Sequence, residues 1–471
     1  MAQTLVDLAK LILEAAQQVD SICKERNTTF PALDEPFTLS SETIRQDPAV
    51  MKHLSLLAAS ADQLLATAWV PALTVIGNTA AFHVSSALRI AIECHVPEAL
   101  REAGPQGLHV KDIAEGQAIP ADKLARVLRI LATKHILREV SPDVFAINRL
   151  SSLLDTGKSF AEAKADPKGK HKNSPGFAAL ISHMVDDALK SSGYLTEVLT
   201  DPKTAASGAP EISAFSVSHG TSHGFWEYLE EPGNEAKLER FGLAMSGAKR
   251  MAPDVLILQG FDWKALPEGA TIVDVGGGVG SLSLVLANKL DKANVVVQDR
   301  PKVIPDAQKF WKDNKPDALA SGRVTLEAHD FFSPQPRKDV DIFIMRSIIH
   351  DWADEYCNTI LKHLRAAASA KTRLIVIEQI VPYACAGAPI DTSHIKGAAE
   401  VALPPPPAPL IANMGFVSLP AYLGDMGMLA MCNGRERTLA QFEELFKSAG
   451  WEIEEVKPSP IPWKHIIARP V

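Results

Sequence analysis

A buried strand that leads directly into a glycine-rich turn constrains the fold of this chain more than any other feature. Residues 271–280 read TIVDVGGGVG, an apolar run with one acid followed by a cluster of glycines. Glycine tolerates a positive φ and lets the backbone approach a ligand closely. The helix predicted over 282–290 points its N-terminus at that ligand. The segment therefore predicts a pocket for a nucleoside at the end of a strand.

Beyond Gly269, apolar runs of strand length alternate with helical stretches. The predicted strands are 271–275, 294–298, 323–327, 340–345 and 373–378. Such alternation is typical of a parallel sheet with helices on both faces. We therefore expect an α/β domain over residues 263–471, preceded by a mostly helical region over residues 1–262.

Within the helical region, residues 80–150 carry the pattern of a winged helix. A helix over 82–94 is followed by a short helix, a helix-turn-helix with its turn near 119–120, and a hairpin over 136–147. Its third helix carries basic side chains: Lys123, Arg126, Arg129 and Lys134. These permit a DNA-binding interpretation, but the acidic chain favours a packing scaffold.

Three other segments carry distinct patterns. The helix predicted over 5–24 carries polar and charged residues between its apolar positions. The segment 50–78 is more apolar, and helices this apolar need a partner surface, which another subunit could supply. The lysine-rich stretch 155–174 predicts a surface loop. Residues 382–420 contain four consecutive prolines, which cannot join a helix interior, and predict a surface excursion.

Composition limits the class of protein. A chain of 471 residues, 46% hydrophobic and 22% charged, is typical of a globular protein with two domains. The net charge of −8 argues against a strongly basic nucleic-acid binder. Five scattered cysteines without metal-ligand spacing predict reduced thiols and no metal site. Because no signal peptide and no run of about 18 apolar residues occurs, we expect a cytoplasmic protein without a membrane span.

The acids around the glycine turn distinguish two cofactor classes. A dinucleotide fingerprint needs a third glycine or alanine three residues after Gly278, where this chain has Ser281. Asp274 would repel a pyrophosphate but attract the ammonium of a methionine moiety. Asp299 ends the next strand, where a carboxylate can accept both ribose hydroxyls. This combination favours S-adenosylmethionine over NAD.

Further side chains at strand ends are candidates for binding and catalysis. Asp330 and Phe331 follow the strand 323–327, where they could bond and stack on an adenine; a loop acid and a core phenylalanine are the equal alternative. His350 follows the strand 340–345, at the edge where open α/β sheets place their chemistry.

Two glutamates strengthen the assignment of this histidine, since a single histidine is more often structural than catalytic. Glu378 ends a buried strand, where a carboxylate needs a partner. Glu436 precedes a predicted helix. Instead of a catalytic role, it could simply be an acid at a helix start, where the helix dipole favours negative charge.

Six motifs then identify a resemblance. DVGGGVG, QDRP, HDFF, MRSIIHDWADEYC, IVIEQIVP and NGRERT resemble the plant-type small-molecule O-methyltransferases, most closely the fungal branch that methylates polyketide and other phenolic metabolites. The resemblance covers roughly residues 80–471. It implies a Rossmann-like class I methyltransferase domain preceded by a winged-helix dimerisation domain that does not bind DNA.

The resemblance also implies roles for individual residues. His350 would be the general base, flanked by Glu378 and Glu436. The residues implied to contact S-adenosylmethionine are Gly276, Gly278, Asp299, Asp330, Phe331 and Arg346, the last standing where many relatives have lysine. The residues implied to contact the acceptor are Met245, Asp351 and Met428. The expected assembly is a homodimer that acts on a small aromatic hydroxyl compound without a metal, a nucleic acid or a membrane.

Three alternatives remain open at this point. The first is a DNA-binding regulator that senses a ligand through its second domain. The second is a methyltransferase that acts on a carboxyl, nitrogen or carbon acceptor. The third is a pseudo-enzyme, against which the presence of His350, Glu378 and Glu436 argues. The sequence does not identify the acceptor.

Overall fold

The fold was examined in a computed structural model that describes residues 3–249, 254–387, 391–459 and 462–471. The chain forms two compact units. Unit one comprises Met1–Tyr194, Ser218–Arg250 and Pro406–Val417, and unit two comprises Leu195–Val217, Met251–Pro405 and Ser418–Val471. The chain thus passes between units repeatedly, and a single domain boundary at 262/263 stays a prediction.

Helices make up most of the chain before residue 250. In chain order these α-helices are α1 (Gln3–Glu25), α2 (Pro48–Ala68), α3 (Pro71–Thr79), α4 (Phe82–Glu93), α5 (Val96–Ala103), α6 (Val110–Ala114), α7 (Ala121–Thr133), α8 (Phe160–Ala165), α9 (Phe177–His183), α10 (Leu189–Ser192), α11 (Leu195–Thr200), α12 (Ala214–His219), α13 (Phe225–Leu229) and α14 (Glu235–Lys249). Short 3₁₀ turns cover Ser40–Gln46, Ser151–Leu154 and Pro210–Ile212, and a π-helix covers Met184–Ala188.

The winged helix predicted in unit one is confirmed. Helices α4 to α7 are followed by a hairpin of β2 (Arg138–Ser141) and β3 (Val144–Ala146), and β1 (Leu108–His109) pairs with β3 to give the sheet order β1-β3-β2. Helix α7 is amphipathic because its apolar residues recur every three or four positions. These residues pack into a core with side chains of α5 and α6: Val96, Leu100, Ile113, Leu124, Leu128 and Leu131.

Two predictions about loops in unit one needed correction. The stretch 155–174 is not a surface loop. It contains α8, which begins with a capping box at Ser159. In addition, Lys170 is 2% exposed, and its Nζ donates to the carbonyl of Ile92. The proline-rich insert does not lie wholly on the surface either. Leu410 and Met414 are buried against α1 and α2, and so their apolar side chains anchor residues 406–417 of the insert within unit one.

An exposed apolar segment runs from the end of α2 to the start of α4. Its large apolar side chains are between half and two-thirds exposed: Leu65, Trp69, Val70, Leu73, Val75, Ile76 and Phe82. In the described part of the chain no single helix is long and apolar enough to cross a bilayer. The pair α2 and α3, with a bend of 118° between the two helices, reaches that length and hydropathy by composition only.

Unit two is built on a seven-stranded sheet. Its strands are β4 (Thr271–Val275), β5 (Asn294–Asp299), β6 (Val324–Ala328), β7 (Ile342–Arg346), β8 (Arg373–Gln379), β9 (Trp451–Lys457) and β10 (Trp463–Pro470). The order of the strands in the sheet is β6-β5-β4-β7-β8-β10-β9. The first five strands in this order run parallel, whereas β10 pairs antiparallel with both β8 and β9. The α/β architecture and all five predicted parallel strands are confirmed, with ends shifted by up to two residues, whereas β9 and β10 were not predicted.

Helices cover this sheet. The α-helices are α15 (Ser281–Lys289), α16 (Ile304–Asn314), α17 (Pro316–Ala320), α18 (Asp354–Ala367), α19 (Ala398–Val401), α20 (Leu419–Cys432) and α21 (Leu439–Ser448). In this unit 3₁₀ turns cover Asp254–Gln259, Trp263–Ala265 and Ile349–Asp351, whereas the 3₁₀ turn Gly415–Val417 belongs to unit one. The interior of β7 and β8 is fully buried, as expected for parallel strands covered on both faces. Because β4, β5, β7 and β8 run parallel, their carboxyl ends share one edge, and this edge carries the candidate site.

Candidate active site

The glycine turn after β4 has the open geometry that a ligand needs. Gly276 has a φ of 71° and Gly278 a φ of 61°, in the region that favours glycine. A Cβ added to Gly276 would lie 2.6 Å from the Ile348 side chain, whereas one added to Gly278 would meet no atom within 4 Å. The space beside Gly278 is therefore open to a ligand.

Asp299 links this turn to the end of β5. Its Oδ2 accepts a hydrogen bond of 2.7 Å from the Gly278 N–H, and its Oδ1 accepts one of 2.8 Å from the Arg300 N–H. A carboxylate oxygen has more than one lone pair, so both oxygens keep acceptor capacity for hydroxyl groups of a ligand. The position predicted for ribose binding is thus at the turn.

Asp274 lies behind the glycine turn. It is 2% exposed, and its Oδ2 accepts a hydrogen bond of 2.6 Å from the Ser283 hydroxyl on α15. A Cβ added to Gly277 would lie 2.7 Å from its carboxyl carbon, so the carboxylate sits against the turn backbone. Asp274 therefore holds the turn against α15, and its predicted attraction for a ligand ammonium stays a prediction.

The other predicted cofactor residues lie at the ends of β6 and β7. Asp330 is exposed, and its Oδ1 accepts a hydrogen bond of 3.0 Å from the Phe332 N–H in the same loop. Phe331 is half-buried, with its ring edge-to-face with Trp352 at 5.9 Å between centroids. The Arg346 guanidinium forms a close ion pair with Asp254. Phe331 thus presents a partly accessible aromatic ring, whereas the charge of Arg346 is already paired.

The structure brings His350, Glu378 and Glu436 together. His350 Nδ1 lies 2.9 Å from Glu436 Oε1 and 3.6 Å from Glu378 Oε2, and its Nε2 lies 3.6 Å from Asp351 Oδ1. The imidazole side chain is 17% exposed and Glu378 is fully buried. A carboxylate at Nδ1 fixes the proton on that nitrogen, so Nε2 is the nitrogen left to accept a proton.

Burial and charge act in opposite directions on this cluster. Burial lowers the pKa of His350, but the carboxylates of Glu378, Asp351 and Glu436 outweigh it and raise that pKa to about 10. Burial raises the pKa of Glu378 to about 7, with the charge of Glu436 adding to the effect. Burial likewise raises the pKa of Asp351 to about 6. The imidazole is therefore a far stronger base than a free histidine.

The loop that carries His350 is fixed on both of its sides. Glu378 Oε1 accepts from the N–H groups of Ile348 and Ile349 at 2.9 and 3.0 Å, so one carboxylate positions the loop and faces the imidazole. The His350 carbonyl accepts from the Arg435 N–H at 2.9 Å. A Cβ at Gly434 would overlap that carbonyl oxygen, which explains a glycine there.

The predicted acceptor residues fall into two groups. Asp351 is 9% exposed beside His350, and Met428 lies half-buried on α20, where its carbonyl accepts from the Gly434 N–H at 3.1 Å. Met245 lies half-buried on α14, in unit one. The structure therefore places Asp351 and Met428 in the unit that contains His350.

The side chains of the histidine–carboxylate cluster could also coordinate a metal ion. One ligand atom from each of His350, Glu378 and Glu436 lies within 4.8 Å of the others, a spacing that a divalent ion could bridge. The hydrogen bond between His350 Nδ1 and Glu436 Oε1 forms without an ion. The absence of a metal requirement stays a prediction.

A cavity of about 690 Å³ adjoins the cluster on the Glu436 side. Tyr383, Tyr422 and Asp425 line it, whereas His350 and the predicted cofactor residues do not. We therefore assign it no part in cofactor binding.

The glycine turn, the acid at the end of β5 and the buried histidine–carboxylate cluster together define a methyltransferase of the Rossmann-like class. The chain belongs to the O-methyltransferase family: residues 196–396 match the O-methyltransferase domain and residues 78–157 match the O-methyltransferase dimerisation domain. It is similar to an O-methyltransferase of Armillaria gallica, at 43% identity over 97% of this chain and 96% of that one. It is also similar to 4-O-methyltransferase 1 of Phanerochaete chrysosporium, at 40% identity over 96% and 95%.

A solved structure supports the fold alone. LepI, in complex with SAM, resembles this chain with a TM-score of 0.64 at 18% identity, covering 89% of this chain and 94% of that one. The predicted family, fold class and enzyme class are confirmed by these matches and by the described sheet.

Proposed function

We propose that this O-methyltransferase transfers the methyl group of S-adenosylmethionine to a phenolic hydroxyl of a small aromatic or polyketide metabolite. The observation that carries the proposal is the bond of 2.9 Å between His350 Nδ1 and Glu436, with Glu378 beside it, at the carboxyl edge of the sheet. The name of the Phanerochaete relative, a 4-O-methyltransferase, supports a hydroxyl acceptor.

The residues of the turn fit the proposed cofactor. S-adenosylmethionine supplies a methyl group on a positively charged sulfur. The open space at Gly278 and the acceptor oxygens of Asp299 suit its ribose, and the accessible ring of Phe331 suits its adenine. The SAM complex of LepI supports the same assignment. Gly276, Asp330 and Arg346 complete the proposed cofactor site.

The raised pKa of His350 suits the removal of a phenolic proton. A phenol has a pKa near 10, so its proton transfer to an ordinary histidine would cost about 5 kcal/mol. With a pKa of about 10, His350 matches the phenol, so this transfer is nearly balanced once the imidazole is in its free-base form, whose fraction grows as the pH rises. Glu378 and Glu436 thus act by stabilising the imidazolium that forms. Met245, Asp351 and Met428 are the proposed acceptor contacts.

The proposal is tested by incubating the purified protein with methyl-labelled S-adenosylmethionine and a panel of phenols. The panel includes matched compounds that carry a carboxyl or an amine in place of the hydroxyl. Label in a new methoxyl group, located by mass spectrometry, supports the proposal. Label found in methyl esters or methylamines alone contradicts it and favours the alternative acceptors.

We expect Asp299→Ala to weaken the binding of S-adenosylmethionine by about 10- to 100-fold, because hydrogen bonds to a charged group contribute about 1.5–3 kcal/mol. Calorimetric titration with the cofactor measures this effect. Asp291→Ala, an exposed acid in the turn before the same strand, is the matched control. Equal affinities of the two variants would remove Asp299 from the cofactor site.

We further propose that a second copy of this chain covers the exposed apolar segment defined above. The segment runs into residues 78–157, which match the dimerisation domain, and exposed apolar surface of this size marks interaction sites. Ile76→Asp is expected to shift the protein from dimer to monomer in light scattering after size exclusion. Val471→Asp, at a similarly exposed valine of unit two, should remain dimeric. A wild-type monomer at micromolar concentration would contradict the proposal.

The structure offers the DNA-binding alternative little support. Arg129, on the third helix of the winged helix, is paired with Glu139 and Asp143. Residues 78–157 match a dimerisation domain, so the presence of a winged helix does not require a role in binding nucleic acid. The cysteines at positions 23, 94, 357, 385 and 432 are free, and the cytoplasmic location stays a prediction.

A further inference from the structure

We propose that Arg437 is a positioning residue that sets the distance between His350 and Glu436. This inference rests on the proposed role of His350 as the base. Arg437 is 1% exposed, and such a buried guanidinium needs nearly every N–H group satisfied.

The partners of Arg437 bracket the catalytic loop. Its two terminal nitrogens donate to the carbonyls of Ile349 and Trp352, both at 2.8 Å. These two carbonyls belong to the residues on either side of His350 and Asp351. The guanidinium therefore holds both ends of the short turn that presents the imidazole.

Three further groups contact the guanidinium: a carboxylate, a thiol and the carbonyl of Arg435, which accepts from a terminal nitrogen at 3.1 Å. Asp354 Oδ1, at the start of α18, accepts from Nε at 2.9 Å and from a terminal nitrogen at 2.7 Å. The Cys357 sulfur lies 3.4 Å from a terminal nitrogen. The planar guanidinium fork thus joins the loop to α18, an arrangement that the single ammonium of a lysine cannot reproduce.

The backbone of Arg437 supplies the connection to the two glutamates. Glu436 is its direct neighbour in the chain, so the residue that holds the His350 loop also fixes the backbone of the carboxylate that pairs with it. The Arg437 carbonyl accepts from the Val381 N–H at 3.0 Å, which joins this segment to the chain that leaves β8, the strand of Glu378. The His350 loop is thereby tied to the side chain of Arg437, and the segments of the two glutamates are tied to its backbone.

Arg437→Ala is expected to lower kcat about 100-fold while KM for S-adenosylmethionine changes less than about threefold, because a misplacement of roughly 1 Å is enough for such a loss. Added guanidinium chloride, at concentrations that leave the fold intact, should restore much of the lost rate. Equal concentrations of urea and of potassium chloride should not. Arg437→Lys should retain only part of the activity.

Proton NMR gives a readout that is independent of turnover. The His350 Nδ1 proton, held by Glu436, is expected as a downfield resonance that disappears in His350→Ala. It should shift or vanish in Arg437→Ala and return with guanidinium. If the wild type methylates no phenol, the proposed function fails. The resonance still tests whether Arg437 sets the distance between His350 and Glu436, because it does not depend on turnover.

Arg365→Ala is the matched control, since Arg365 also clamps backbone carbonyls, those of Gly450 and Val471, away from the site. It should lower thermal stability without guanidinium rescue and without a change in the resonance. The proposal is overturned if Arg437→Ala behaves like this control. If Arg437→Ala does not fold, Arg437→Lys decides: an unchanged kcat and an unchanged resonance overturn the proposal.

Discussion

Replacement of His350 by alanine is expected to lower the rate of methyl transfer to a phenol at least ~100-fold, the usual contribution of a general base. The physical reason is that the variant loses the Nε2 atom that accepts the phenolic proton, while Asp299 and the glycine turn are untouched. Turnover is measured with labelled S-adenosylmethionine, and cofactor binding by calorimetry. Binding should stay within about threefold of the wild type, since the effect is confined to the chemical step.

His394→Ala is the matched control for this variant. His394 Nε2 lies 2.6 Å from Glu443 Oε1 in the same unit, so it is also a histidine paired with a buried glutamate. Because neither residue belongs to the cluster, activity should be unchanged. Near-normal turnover in His350→Ala would remove the assignment of the base.

Glu378→Gln is expected to move the pH dependence of kcat/KM toward lower pH by at least about one unit. With a pKa of about 10, His350 is protonated at neutral pH, so activity should rise with pH as the free base forms. The carboxylate of Glu378 stabilises the imidazolium, and its removal lowers the pKa of His350. The amide oxygen can still accept from Ile348 and Ile349, which keeps the loop in place.

The pH profile is measured at saturating cofactor for the wild type and the variant. Glu443→Gln removes the carboxylate of the other histidine–glutamate pair and should leave the profile unchanged. A profile of Glu378→Gln that coincides with the wild type, or that moves to higher pH, contradicts the electrostatic role given to Glu378.

Patterns within single segments were sufficient to predict much of this molecule. The five parallel strands were predictable because each is an apolar run between turn signals, and burial on both faces requires such runs. The winged helix was predictable from the spacing of Leu124, Leu128 and Leu131 and from the Ser-Pro-Asp turn. The approach of His350, Glu378 and Glu436 came from the resemblance, since Glu436 is separated from the sheet edge by the long insert.

Features that depend on distant contacts were not predictable. Strand β9 alternates only in part between buried and half-buried positions, and β10 lies between β8 and β9, an order that no local pattern reveals. The bond of Asp274 to Ser283 was not predictable because it depends on the packing of α15. Lys170 looked like a surface lysine because its partner, the carbonyl of Ile92, lies 78 positions away. Arg437 stood in a recognised motif, but only its buried contacts indicate a role.

The central claim, that His350 removes the acceptor proton, is tested most directly by a series of substituted phenols of decreasing pKa. The ratio of kcat/KM between the wild type and His350→Ala is measured across the series at one pH. We predict that the ratio falls steeply as the phenol becomes more acidic, because an acceptor that is already ionised needs no base. A ratio that stays constant across the series would contradict the claim.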